Sequence, residues 1–139
     1  MHKLRAIAAA HQAQAALPET LHELEATFSE AVRRSLADNS EKRKARLKAA
    51  PKMPARTPVV LFAFERNPDV VAEVLHRAEG ECERCKGAAP FLRRKDGSPY
   101  LEVHHLVQLA DGGEDTVENA SALCPNCHRR LHYGVAGVA

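Results

Sequence analysis

The sequence predicts an α+β fold in which a small module stapled by metal follows a helical N-terminal extension. Three observations predict it. Two CxxC pairs, Cys82/Cys85 and Cys124/Cys127, bracket a short span of hairpin and strand patterns. Helical apolar patterns precede them over residues 18–36 and 68–79. The aromatic content is only 4%, with no Trp. The core is therefore a small one of Leu, Val and Ala, of the kind that needs a staple.

The elements follow in order. Residues 1–16 are Ala/Gln-rich and weakly periodic, helical or frayed. Leu17, Leu21, Leu24, Phe28, Val32 and Leu36 then recur at three- and four-residue steps, with Pro18 suited to the first helical position. The plainer reading of this stripe is a helix packed on its own domain. The sharper one is a surface for a second copy or a partner. Residues 41–56, EKRKARLKAAPKMPAR, hold seven basic side chains and one acidic, and Pro51, Pro54 and Pro58 discourage helix beyond about residue 50. This stretch is either a solvated linker or an arm along nucleic-acid phosphates. The net charge of +2 is unevenly spread: residues 1–57 hold 11 Lys/Arg against 6 Asp/Glu, residues 58–139 hold 9 against 12. We divide the chain accordingly into an extension with linker, 1–57, and a domain, 58–139.

Within that domain Asn67-Pro68-Asp69 reads as cap, first position and first-turn acid of a helix. Val70, Val71, Val74, Leu75 and Ala78 give its apolar face, and Gly80 its stop. Cys82–Cys85 forms a tight knuckle. Residues 91–103 read as a hairpin turning at Asp96-Gly97, Asp111-Gly112-Gly113 as a loop, 120–123 as a short strand, and 125 to about 133 as a short helix.

Four cysteines in two CxxC pairs are disulfides in a secreted chain or one tetrahedral zinc site in a reducing compartment. The N-terminus, broken by His11, Gln12 and Gln14, makes a poor signal peptide. No stretch is long enough to span a membrane. A cytoplasmic protein with one structural Zn²⁺ held by Cys82, Cys85, Cys124 and Cys127 is expected.

The segment 101–132 also holds four of the eight histidines. On a helix, His128 and His132 lie four apart on one face, as two ligands of one metal require. In an extended strand His104 and His105 point to opposite faces, so one joins that cluster and the other stays beside it unbound. An imidazole titrates close to neutrality and can take a proton from water. Three protein ligands with open positions describe a catalytic metal site, whereas four thiolates describe a structural one.

Glu102-Val103-His104-His105, Gly112-Gly113, Asn119 and Cys124-Pro125-Asn126-Cys127-His128-x₃-His132 together resemble the HNH family of ββα-metal endonucleases. The resemblance spans residues 66–134. Nuclease colicins share the ExHH, Asn and HxxxH arrangement, and restriction-type HNH proteins share the four-cysteine zinc. The resemblance implies a ββα-metal module with a pair of zinc knuckles. It implies His104, His128 and His132 as ligands of one catalytic divalent metal and His105 as general base. It implies Asn119 holding the loop between the strands and so orienting His105, and Glu102 as a supporting carboxylate paired with an Arg. Many relatives have Asp where this chain has His104. An all-histidine set favours Zn²⁺, Ni²⁺, Co²⁺ or Mn²⁺ over Mg²⁺.

The implied function is metal-dependent DNA endonuclease, leaving 5′-phosphate and 3′-hydroxyl ends. Arg129 and Arg130 flank the ligand helix and Arg93, Arg94 and Lys95 lie on the hairpin; all five are candidates for phosphate contact and equally for ordinary surface charge. Two alternatives stand beside it: a non-catalytic zinc module that binds nucleic acid, and the nuclease component of a larger restriction or phage-packaging assembly. A single site cuts one strand at a time, so double-strand cleavage calls for a homodimer or two nicks. No recognition-helix motif is present, so any sequence preference lies in residues 1–65 or in a partner.

Overall fold

The structure, a computed structural model, describes residues 20–136 and separates the chain into two units, Met1–Ala63 and Phe64–Ala139.

In the first unit α1 (Leu21–Ala37) begins behind Thr20. The Glu23 N–H donates to Thr20 Oγ1 at 3.2 Å, and the Thr20 N–H returns a bond to the Glu23 carboxylate at 2.8 Å, a reciprocal cap. Pro18, expected at the first helical position, lies outside the described residues. Of the apolar stripe within α1, Leu21 and Leu24 are half-buried and Phe28, Val32 and Leu36 are exposed. No residue of α1 is buried, and Phe28 and Leu36 are 68% and 73% exposed. The reason is compositional: α2 (Ser40–Ala49) is almost wholly polar and offers no apolar face to cover it. What α2 offers is charge. Arg43 Nη1 donates to the carbonyls of Ser35 (2.6 Å) and Asp38 (2.9 Å), and Arg46 Nη1 to Asp38 Oδ2 (2.5 Å). The two Arg43 bonds satisfy carbonyls at the end of α1. Helix α2 stops at Ala49, ahead of Pro51.

In the second unit α3 (Pro68–Ala78) starts at the predicted cap, with Asn67 Oδ1 accepting from the Asp69 N–H at 2.9 Å. Its stop uses two left-handed residues rather than Gly80 alone: Glu79 has φ 50° and Gly80 φ 82°. A side chain at Gly80 would also meet the Pro99 ring at 3.1 Å. Val70, Val74 and Ala78 turn inward onto Leu101, Ala120, Ala122 and Leu123. Strands β1 (Glu102–His105) and β2 (Ala120–Leu123) pair antiparallel, with Glu102 opposite Leu123 and His105 opposite Ala120. A single 3₁₀ turn, Leu109–Asp111, lies in the loop between them, and α4 (Pro125–Tyr133) follows β2 at once.

Two loops share one backbone wiring. In the first, the Cys82 N–H donates to Gly87 O and the Lys86 N–H to Cys82 O, both at 2.8 Å. In the second, the Arg93 N–H donates to Ser98 O (2.7 Å) and the Gly97 N–H to Arg93 O (2.8 Å). The predicted hairpin is thus a tight turn at Asp96-Gly97 built like the cysteine knuckle but without cysteines. Its pairing is reduced to one bridge, Leu92 to Pro99, because proline cannot donate to a ladder.

One ion pair binds these pieces together. Arg77 on α3 donates to both oxygens of Glu83 (2.6 and 2.9 Å) and to the carbonyls of Ala120 (2.8 Å) and Val117 (3.2 Å). Glu83 in turn accepts from the Ala122 N–H at 2.7 Å. The helix, the cysteine knuckle and β2 are therefore locked by one guanidinium and one carboxylate.

Candidate active site and metal centres

The knuckle and the N-terminus of α4 bring Cys82, Cys85, Cys124 and Cys127 together, their sulfurs within 4.8 Å of one another. Cys124 is also the N-cap of α4, its Sγ accepting from the Cys127 N–H at 3.5 Å. The thiols are free, with no disulfide between them. Their protons are unequally held. Burial works to raise Cys82, but backbone groups of Cys124, Cys85 and Arg84 outweigh it and lower its pKa. Burial, followed by the neighbouring sulfurs, pushes Cys127 up. Four crowded thiols that cannot all ionise by themselves suit a divalent cation, which removes the mutual repulsion. The donor set is that of a closed structural zinc site.

The second cluster sits on the flank of α4. Because α4 is helical, His128 and His132 face the same way, with their Nε2 atoms 3.1 Å apart. His104 on β1 completes the group, its ring centroid 5.1 Å from that of His128 and 5.0 Å from that of His132. The ligand atoms of the three converge within 4.8 Å. Burial, then the neighbouring imidazoles, lowers the His104 pKa, a shift toward the neutral form that a metal needs. His128 directs its other nitrogen, Nδ1, at Glu102 Oε2, which fixes the tautomer with Nε2 as the free lone pair.

His105, the next residue on β1, stands outside this converging group. Both His104 and His105 are buried. His105 Nε2 lies 2.8 Å from Asp115 Oδ1, and Asp115 Oδ2 accepts from the Asn67 N–H at 2.5 Å. That backbone bond and His105 hold the Asp115 carboxyl below the usual range. Asn119 ties the intervening loop. Its Oδ1 accepts from the Val107 N–H (2.9 Å), and its Nδ2 donates to the carbonyls of Val107 (3.0 Å) and Glu114 (2.7 Å). Gly113 is required beside it, since a side chain there would stand 1.9 Å from the Val107 carbonyl oxygen.

Glu102 departs from expectation. Its partners are His128 and the Tyr100 hydroxyl (2.9 Å), not an arginine. Burial works to raise its pKa, but these two bonds and the charges of His128 and Arg129 lower it. Arg93, Arg129 and the unforeseen Arg66 line a cleft of about 500 Å³ with Tyr100, Glu102 and His128. Arg93 also donates to Leu101 O at 2.7 Å. Arg94 and Lys95 are exposed on the turn, and neither they nor the exposed Arg130 line that cleft. All four histidines open on a second cleft of about 240 Å³ with Phe64 and Gln108.

Sequence reasoning missed Asp115, Tyr100 and Arg66. Tyr100 carried a usable signal, because it stands two residues from Glu102 in an extended run and so shares its face. Asp115 lies in a polar loop whose acidic residues look alike from sequence.

The sequence model of the HNH endonuclease family matches residues 82–134. The type IV methyl-directed restriction enzyme EcoKMcrA of Escherichia coli K12 is 54% identical over 70 residues, half of this chain and 25% of that enzyme. Anaredoxin of Nostoc sp. PCC 7120 is 42% identical over 31 residues, 22% of this chain and 41% of that protein. The solved structure of ScoMcrA, a type IV phosphorothioation-dependent restriction endonuclease, is 34% identical with a TM-score of 0.48, covering 70% of this chain and 20% of that one. The chain thus spans about a quarter of the length of the curated restriction enzyme it matches.

Proposed function

Because residues 82–134 are an HNH endonuclease-family domain, homologous to the McrA type IV restriction enzymes, we propose that this chain is the DNA-cleaving part of a restriction activity. The observation that supports it most is the convergence of His104, His128 and His132 next to a fourth histidine, His105, that stays outside the group and is backed by a carboxylate. Four thiols with a separate cation site account for a structural module; they do not account for this second arrangement.

In this reading His104, His128 and His132 hold one divalent ion, and Cys82, Cys85, Cys124 and Cys127 hold Zn²⁺. The ion, when bound, supplies a Lewis acid for the charge that develops on the departing 3′ oxygen. His105 takes the proton of the attacking water, with Asp115 stabilising the imidazolium that results. Asn119 and Gly113 keep the loop that carries Asp115 at this distance. Arg66, Arg93 and Arg129 bind backbone phosphates along the larger cleft. Products carry 5′-phosphate and 3′-hydroxyl ends. The exposed Phe28, Val32 and Leu36 on α1 supply a surface for a second copy or for a larger assembly. Among the described residues no helix is long and apolar enough to cross a membrane.

The test is cleavage of supercoiled plasmid by zinc-loaded wild type and His105→Ala, with Mg²⁺, Mn²⁺, Ni²⁺, Co²⁺ or Zn²⁺ added in turn. Nicking by wild type and its loss in the folded variant is the expected result. A wild type inert with every metal, on duplex and on single strands, yet retaining one zinc per chain, replaces this reading with that of a nucleic-acid-binding module.

A further inference from the structure

Tyr100 belongs to none of the motifs that mark the site, yet it joins three parts of it. Its ring is stacked on Phe91, with centroids 4.5 Å apart and planes at 25°. The Arg93 guanidinium lies 4.5 Å from the same ring. Its hydroxyl donates to Glu102 Oε1 at 2.9 Å, while the other oxygen of Glu102 takes His128 Nδ1. We propose that Tyr100 is a positioning residue for the histidine metal site, fixing His128 through Glu102 and connecting that ligand to the arginine wall of the cleft.

The argument is mechanical and electrostatic. A carboxylate held at one oxygen swings about its last two torsions. One held at both has a single orientation, and the imidazole bonded to it inherits that orientation. The hydroxyl can serve as an anchor because its own ring is immobilised by Phe91 and Arg93, and the hairpin carrying all three is closed by the Arg93–Ser98 and Phe91–Tyr100 backbone bonds. His128 is the ligand that gains. With Nδ1 engaged, its Nε2 is aimed at the point it shares with His132. Partners one bond beyond the ligands change metal affinity by about 10- to 100-fold. Arg93 extends the chain of contacts outward. A DNA phosphate that draws on Arg93 acts on the ring that orients Glu102, so backbone binding in the cleft and metal binding at the histidines are energetically linked, and the linkage is reciprocal.

This inference rests on the reading of the three histidines as a metal site, and the experiment separates the two. Full-length zinc-loaded protein is titrated with Ni²⁺ by calorimetry, and zinc is counted by elemental analysis before and after. Wild type is expected to take up one Ni²⁺ per chain without losing zinc. Tyr100→Phe, which keeps the ring and its stacking, is expected to bind Ni²⁺ about tenfold more weakly and to retain its zinc. In a Glu102→Ala background the same change is expected to have no further effect. Ni²⁺ affinity in Tyr100→Phe equal to that of wild type overturns the assignment, as does a full additional loss in the Glu102→Ala background. Wild type that takes up no Ni²⁺ beyond its zinc sinks the metal reading itself and this inference with it. Should Tyr100→Phe lose its zinc, 3-fluorotyrosine incorporated into Tyr133→Phe, where position 100 is the only tyrosine left, changes the acidity of the hydroxyl and leaves the ring in place. An unchanged Ni²⁺ affinity on fluorination then overturns the proposal.

Discussion

Asp115 meets His105 through one carboxylate oxygen, at 2.8 Å, and the backbone of Asn67 through the other, at 2.5 Å. The carboxylate is thus fixed from the start of α3 and, on the proposed reading, holds the imidazole with Nδ1 left for a proton from water. Asp115→Asn keeps the size and loses the charge. Its plasmid-nicking rate is expected to fall by about 10- to 100-fold, the cost of a misdirected base. DNA affinity should stay the same. A gel-shift titration beside single-turnover cleavage checks both, and a loss confined to affinity would refute the assignment.

His104→Ala removes a ligand from the second cluster and leaves the four cysteines alone. Such a variant is expected to keep one zinc per chain, to keep its helix content by circular dichroism, and to lose nicking by at least about 100-fold with any divalent metal. Loss of zinc in this variant would show that the two sites are not independent.

Cys124→Ser takes away a thiolate ligand while leaving at the N-cap of α4 a side chain that still caps it. Structural zinc contributes on the order of 10 kcal/mol in small metallo-domains, comparable to the whole stability of a typical domain. Residues 64–136 are expected to lose cooperative thermal unfolding, and a chelator added to wild type should reproduce the effect. A cooperative melt that survives chelation would contradict it.

The Arg77–Glu83 clamp gives a pH dependence with a definite sign. Arg77 bonds, outweighing burial and assisted by the Ala122 N–H, hold the Glu83 carboxyl below its ordinary value. A depressed carboxyl contributes stability that is fully present above its unfolded pKa, about 4.3, and is lost as pH falls through the folded value. Glu83→Gln is expected to be less stable by about 1–3 kcal/mol at neutral pH. Its melting temperature should also fall less steeply than that of wild type below about pH 4. Parallel curves would remove Glu83 from the account.

Gly113→Ala tests the loop. The added carbon meets the Val107 carbonyl, so the strand connection that Asn119 braces has to shift. Overpacking of this kind costs about 1–3 kcal/mol. Nicking is expected to fall while zinc content holds, which elemental analysis and plasmid cleavage report together.

Much of the site was legible because its chemistry repeats at periods the backbone imposes. His128 and His132 could be put on one face from a spacing of four, and His104 and His105 on opposite faces from a spacing of one. The cap at Asn67 was equally local. What escaped depended on tertiary approach. Asp115 reaches His105 only because the 106–119 loop folds back, held by Asn119 to the backbone of Val107 and Glu114. Glu102 was given an arginine partner, and its face turned instead to Tyr100 and His128. Periodicity marks the stripe on α1 as amphipathic and does not say what covers its apolar side, so a packed helix and a partner surface both stay open from sequence.

Helix α4 begins at Cys124, one of the four clustered cysteines, and carries Cys127, His128 and His132 within nine residues. On the proposed reading, a structural ion at the cysteines would act as an index mark for a reactive one at the histidines. It pins the helix at its first turn, and the histidines keep their bearing only by counting residues from that pin. Each residue advances the bearing by about 100°, so inserting a single alanine between Cys127 and His128 would leave the cysteine cage and the overall shape in place and swing both imidazoles off His104. The expected product is a protein that is folded, loaded at its cysteines and out of phase at its histidines.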